Sequence, residues 1–112
     1  MAVFRVWYMR PDWFREGSFG GKPNVAKLEE THVHLRDISV EGIELVDEDP
    51  EEGLEFVYHQ SQGEIWSPNG EARELIKEKE LGHTSMSVGD VIEQDGRFWL
   101  VVAFGFSELR AR

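Results

Sequence analysis

The chain has 112 residues, a net charge of −10 and no cysteine, which excludes disulfides, thiolate chemistry and cysteine-based zinc sites. Its negative excess lies in residues 41–82, and no basic patch of the kind that nucleic acids require is visible. Because 40% of the residues are hydrophobic and 12% are aromatic, we expect a folded single domain over residues 1–112 rather than a disordered chain.

Two segments in the first forty residues are typical of strands. Residues 3–9 are rich in β-branched and aromatic side chains, and Pro11 follows them. Residues 31–38 alternate between apolar and polar side chains, which predicts a half-buried strand. In that strand Val33 and Leu35 would face the core, and the polar face would carry His32, His34 and Arg36.

The middle of the chain is strongly acidic. Eight acidic residues and no basic one occur between positions 41 and 55. We expect residues 47–53 to form an exposed turn, and residues 56–59 to be either a strand or the end of a short helix. A concentrated negative face can steer a basic partner. The residues of this candidate partner-binding face are Glu41, Glu44, Asp47, Glu48, Asp49, Glu51, Glu52 and Glu55.

One helix is predicted over about residues 69–81. Ser67 or Asn69 can cap its first turn, and Gly82 is placed to end it in a left-handed conformation. Trp66 immediately precedes the cap. It either packs the helix onto the sheet or belongs to an exposed binding surface.

The C-terminal region predicts a β-hairpin. Apolar runs over residues 88–94 and 97–104 flank Asp95-Gly96, and both central positions of a two-residue hairpin turn need positive φ. With the other elements this gives an α+β fold, in which one main helix packs on a curved, mostly antiparallel sheet.

Three patterns that could support chemistry are incomplete. His32 and His34 share a strand face, but a third metal ligand would have to come from His59, His83 or a distant carboxylate. Nearby, His83, Ser85, Ser87 and Asp90 contain the residue types of a nucleophilic triad without the G-x-S-x-G spacing of a nucleophile elbow. The sequence around residues 20–22 departs from a phosphate-binding loop at the required glycine and at the required serine or threonine. We therefore expect no catalytic residues, no metal site and no cofactor.

One region is similar to a known family. Residues 66–73 (WSPNGEAR), 83–92 (HTSMSVGDVI) and 105–106 (GF) resemble small uncharacterised proteins and YodL-like domains of phages, plasmids and integrative elements. The resemblance covers roughly residues 56–106. It implies a setting in mobile genetic elements and no particular reaction.

The same motif has a structural interpretation. Gly89 can supply a backbone conformation that other residues resist, and Asp90 can bond its own turn. On this interpretation Ser85 and Ser87 satisfy backbone groups, and Gly105 lets the last strand turn.

These observations favour a non-enzymatic interaction protein of a phage or mobile element. We expect it to be cytoplasmic, because no signal peptide or apolar stretch of about 20 residues is visible. We expect a protein partner of unknown identity, and the sequence does not indicate the oligomeric state. The alternatives are a small enzyme or metal-binding protein that uses the histidines, and an RNA-binding module similar to PUA domains. The acidic composition disfavours the RNA-binding alternative.

Overall fold

A computed structural model of the protein describes residues 2–40 and 51–109. Its five strands are β1 (Ala2–Met9), β2 (His32–Val40), β3 (Val91–Gln94), β4 (Arg97–Val102) and β5 (Gly105–Leu109). They form one antiparallel sheet in the order β2-β1-β3-β4-β5. The helices are α1 (Phe14–Ser18), a 3-10 helix (Val25–Glu30), α2 (Glu51–Gln60), α3 (Gly63–Trp66) and α4 (Arg73–Glu78). The predicted α+β class with an antiparallel sheet is confirmed.

The C-terminal hairpin forms where the sequence predicts it. Gln94 pairs with Arg97, and the intervening Asp95 and Gly96 have φ values of 52° and 78°. Positive φ at both positions is the requirement of a type I′ turn. Strand β3 begins at residue 91 rather than 88, because Asp90 N–H bonds back to the Ser87 carbonyl at 3.0 Å and closes a turn there.

An irregularity in β2 changes which side chains share a face. Val6 pairs with Arg36 and the next residue of β1, Trp7, pairs with His34, so Leu35 has no partner in the register. Such a bulge reverses the alternation beyond it. Arg36 therefore lies on the opposite face from His34, and the prediction of one polar face for His32, His34 and Arg36 is wrong. His32, expected on the polar face, is completely buried.

The helical region differs from the expected single main helix. The longest helix of the described residues is α2, which shows that residues 56–59 are helical rather than a strand. The helix predicted over residues 69–81 is limited to α4. Ser67 lies outside it, and its Oγ accepts a hydrogen bond from Ala72 N–H at 2.8 Å, so it caps the turn that leads into α4.

The end of α4 is made by a residue that the sequence did not suggest. Glu80 has a φ of 56° and takes the left-handed position expected for Gly82. Its N–H bonds to the Lys77 carbonyl, and the N–H of Leu81 bonds to the Ile76 carbonyl at 2.9 Å. This is a Schellman motif, in which an apolar contact normally joins the two residues of the longer bond. Leu81 and Ile76 are both buried, which accounts for the early end of the helix.

Two hydrophobic clusters lie on opposite faces of the sheet. The larger cluster contains Phe4, Val6 and Tyr8 of β1 together with residues of α2 and α4. The smaller cluster contains Trp7, Val91, Leu100, Leu109 and, from the 3-10 helix, Leu28. Each cluster contains a buried tryptophan, Trp99 in the larger and Trp7 in the smaller. In the described part of the chain, no helix has the length and apolar character needed to cross a membrane.

Candidate functional site

Several side chains of residues 83–92, a segment that resembles YodL-like domains, meet at a buried carboxylate. Asp90 is fully buried, and its Oδ1 accepts from Met9 N–H at 2.8 Å while its Oδ2 accepts from Ser87 N–H at 2.8 Å. His83 Nε2 lies 2.8 Å from the same Oδ2. A buried carboxylate needs such partners to offset its desolvation. Asp90 therefore joins the end of β1 to the turn before β3.

His83 is held between aromatic rings. Its imidazole stacks on Tyr8 with ring centroids 4.5 Å apart, and Phe14 meets it edge-on at 5.1 Å. Because Nε2 donates to Asp90, Nδ1 is the nitrogen that a nucleophilic hydroxyl would have to approach. Nδ1 is buried and has no hydrogen-bond partner among the described residues.

The two serines of the motif bond elsewhere. Ser85 Oγ accepts from Gly63 N–H at 2.8 Å, and Ser87 Oγ donates to the Ser85 carbonyl at 3.1 Å. The structure thus brings together the His83–Asp90 pair of the triad pattern and leaves both serine hydroxyls outside it. This arrangement stabilises the turn.

A second histidine is fixed on the same turn. His32 Nε2 lies 2.7 Å from the Gly89 carbonyl and Nδ1 lies 2.7 Å from the Thr31 hydroxyl. Since a carbonyl only accepts, Nε2 carries a proton and donates it to Gly89. Burial lowers the pKa of His32, although the hydrogen bond to Gly89 opposes this effect. His32 therefore acts as a neutral hydrogen-bonding group of the core.

The remaining histidines lie apart from this turn. His34 Nε2 lies 2.7 Å from Asp37 Oδ1 at the surface, and His59 is exposed on α2. Within residues 2–40 and 51–109, no group of three or more histidine and acidic side chains is arranged to hold a metal ion. Two of the four histidines thus meet at one turn, and they bond protein groups there.

Three of the eight carboxylates predicted to form an acidic face are in the described part of the chain. Glu51, Glu52 and Glu55 are exposed on α2. Glu41, Glu44, Asp47, Glu48 and Asp49 lie outside the described residues. Helix α2 brings Glu51 and Glu55 to the turn between β4 and β5: Glu51 Oε1 lies 3.5 Å from where a Cβ of Gly105 would be, and Glu55 lines a pocket with Gly105.

That turn carries the most exposed large apolar side chain of the described residues. Phe104 is 98% exposed, and Gly105 has a φ of 100°. Beside the turn lies a pocket of about 210 Å³, whose lining includes Tyr58, Val102, Ala103 and Phe106. We call Phe104, this pocket and the neighbouring Glu51 and Glu55 the tip surface.

Trp66, for which the sequence allows either a packing role or an exposed binding surface, is half-buried. Its Nε1 donates to the Thr84 carbonyl at 3.1 Å, and the guanidinium of Arg36 lies 4.1 Å from its ring centroid. Arg36 also donates to the Gln60 carbonyl at 2.9 Å. Trp66 therefore joins α3 to the main core, as the packing alternative predicts.

Sequence reasoning missed Phe104 as a surface residue. It ends an apolar run that looks like a continuous strand, and only the glycine that follows indicates the turn.

Comparison of the chain with protein-family models, curated proteins and solved structures finds no match.

Proposed function

We propose that this protein is a non-enzymatic interaction domain that binds a protein partner through the tip surface. The observation that carries the proposal is the 98% exposure of Phe104 on a hydrogen-bonded two-residue turn. When a partner buries a phenyl ring that is otherwise fully exposed to water, the burial stabilises the complex. Because strand pairing on both sides fixes the turn, little backbone entropy is lost on binding.

The charge beside Phe104 supports a partner of particular chemistry. Glu51, Glu52 and Glu55 are exposed on α2, and the whole chain carries a net charge of −10. A partner with an apolar pocket for the phenyl ring and basic residues around its rim would complement this surface. Such charges act mainly on the association rate and on its salt dependence.

The proposed setting is the cytoplasm of a cell that carries a phage or another mobile element. Its support is the resemblance of residues 66–73 and 83–92 to YodL-like domains. The proposal of an accessory role without catalysis rests on the bonding of Asp90, His83, Ser85 and Ser87 within the fold, where they hold a turn.

The experiment is an affinity capture from the native host with paired variants. Phe104→Ser removes the exposed ring of the tip surface, and Phe19→Ser is the control, because Phe19 is 84% exposed on the loop after α1. We expect a specific partner to be lost with Phe104→Ser and retained with Phe19→Ser. Equal retention by both variants would contradict the proposal.

The electrostatic part is tested separately at low salt. Glu52→Lys with Glu55→Lys reverses charge on α2, and Glu29→Lys with Glu30→Lys makes the same change at exposed positions of the 3-10 helix. We expect the α2 variant to slow association by about tenfold and the control to have a much smaller effect. Equal slowing would mean that only net charge matters.

A further inference from the structure

A cleft lies between α3 and α4, away from the tip surface. Its volume is about 590 Å³, which falls within the range of about 300–1,000 Å³ usual for small-molecule sites. The two charged side chains that line it are both basic, Arg73 and Lys77. In a chain with 22 acidic and 12 basic residues, a cleft without a lining carboxylate is a local reversal of the overall charge.

Helix α4 separates its charges by face. Arg73 and Lys77 are four residues apart and line the cleft, whereas Glu74 and Glu78, also four residues apart, do not line it. Like charges at this spacing repel each other on a helix, and alternating them would stabilise it. The Glu74–Lys77 ion pair that the sequence allows is absent, and neither cation has an ion pair with any described residue. Within residues 2–40 and 51–109, therefore, no carboxylate neutralises either positive charge.

The other walls of the cleft are apolar or polar and well anchored. Ile76 and Leu81 contribute buried apolar side chains. Thr84 lies opposite, and its carbonyl accepts from the Tyr8 hydroxyl at 2.6 Å as well as from the Trp66 indole. These bonds fix the backbone at Thr84, so this wall of the cleft is rigid.

Gly63 brings the α3 backbone close to Thr84. A Cβ at Gly63 would lie 3.6 Å from Thr84 Cγ2 and 3.1 Å from Ser85 Oγ. Across the cleft, the Arg73 guanidinium packs over Gly70, with Nη2 3.0 Å from the position of a Cβ there. The absence of a side chain lets α3 approach Thr84 and Ser85 at Gly63, and lets the guanidinium lie against the backbone at Gly70.

We propose that this cleft binds a small molecule that carries a phosphate group beside an apolar or aromatic part. The Arg73 guanidinium offers a fork of donors that matches phosphate oxygens, and the Lys77 ammonium adds a second positive charge one helical turn away. Ile76 and Leu81 contact the apolar part, and Thr84 lines the wall opposite α4. This site is independent of the protein partner proposed for the tip surface.

The test uses the full chain with three probes: adenosine 5′-monophosphate, adenosine and inorganic pyrophosphate. Binding is followed by calorimetry and by amide chemical shifts of Gly63, Gly70 and Thr84. We expect the monophosphate to bind with a Kd between about 0.1 mM and 1 mM and to shift these amides. Pyrophosphate should shift the same amides, and adenosine should bind at least about tenfold more weakly than the monophosphate because it lacks the anion.

Paired variants identify the cations responsible. Arg73→Gln with Lys77→Gln should weaken binding of the monophosphate by at least about tenfold. Arg15→Gln with Lys22→Gln makes the same change of charge at exposed residues that do not line the cleft, and it should leave Kd within about twofold. Circular dichroism establishes that each variant is folded.

Three results would overturn the proposal. One is the absence of saturable shifts in the cleft below about 10 mM of either phosphate probe. Another is equal affinity for adenosine and its monophosphate, which would mean that no anion is recognised. The third is equal weakening by the cleft and control variants, which would reduce the effect to net charge.

Discussion

Nε2 of His83 lies 2.8 Å from Oδ2 of Asp90, and both side chains are almost excluded from solvent. The pair closes a set of contacts in which the Asp90 carboxylate also receives backbone N–H groups from β1 and from its own turn.

The first prediction concerns the carboxylate itself. In Asp90→Asn one carboxylate oxygen becomes an NH₂ group. This group is a donor, so it cannot accept the hydrogen bond that Met9 N–H or Ser87 N–H gives to the carboxylate. We expect the free energy of unfolding to fall by about 3 kcal/mol, because a buried acceptor of several hydrogen bonds is lost. Urea denaturation followed by circular dichroism measures the change.

Asp95→Asn is the matched control for that substitution. Asp95 lies in the type I′ turn, where asparagine is equally favourable, so its effect should stay within about 0.5 kcal/mol. Equal stability of the two variants would show that the contacts of Asp90 contribute little.

The second prediction compares two glycines with positive φ. At Gly89, where φ is 102°, an added Cβ would lie 2.5 Å from Met9 Sδ and 3.0 Å from the backbone carbon of Gly17. At Gly96, where φ is 78°, no atom lies within 4 Å. Gly96→Ala should therefore cost about 1–2 kcal/mol from backbone strain alone, and Gly89→Ala should cost at least about 2 kcal/mol more. Thermal and urea unfolding of both variants tests the difference.

The third prediction concerns acid. Burial lowers the pKa of His32 in the folded protein below its ordinary value of about 6.5. The unfolded chain therefore binds the extra proton first as pH falls. The stability contributed by neutral His32 is complete above about pH 6.5 and declines below it, by up to about 1.4 kcal/mol per pH unit.

His32→Gln can keep a donor for the Gly89 carbonyl and has no group that titrates in this range. We expect its free energy of unfolding to fall less steeply than that of the wild type between about pH 6.5 and about pH 5. Urea titrations at a series of pH values measure both slopes. Parallel profiles would contradict a role for His32 in acid sensitivity.

The fourth prediction separates stability from binding at the tip surface. Because Phe104 is 98% exposed, Phe104→Asp should change the free energy of unfolding by less than about 0.5 kcal/mol. Phe4→Ala, at a fully buried position of β1, should cost about 3–5 kcal/mol. A large loss of stability in Phe104→Asp would mean that this ring supports the fold.

The sequence predicts the features that depend on local chemistry. Asp95-Gly96 indicates its turn because few other residues adopt positive φ, and the β-forming residues on either side continue as strands. The apolar stretch before Pro11 identifies β1 for a similar reason.

Features that depend on distant contacts could not be predicted in this way. The bulge at Leu35 follows from how β2 pairs with β1, and it places Arg36 on the opposite face from His34. The early end of α4 follows from the burial of Leu81 against the core. Likewise, His83 and Asp90 are seven residues apart, but the Met9 backbone that completes their site comes from the other end of the chain.

The position of β1 between β2 and β3 has a consequence for folding. Trp7 of β1 donates to Glu93 of β3 at 2.9 Å across 86 residues of sequence. On the ribosome, β1 and β2 emerge long before β3, and until then β1 has one edge without its partner strand. Closing so long a loop is entropically costly and slows folding. Until β3 has been made, the edge of β1 that β3 covers stays unpaired, and an unpaired strand edge favours aggregation.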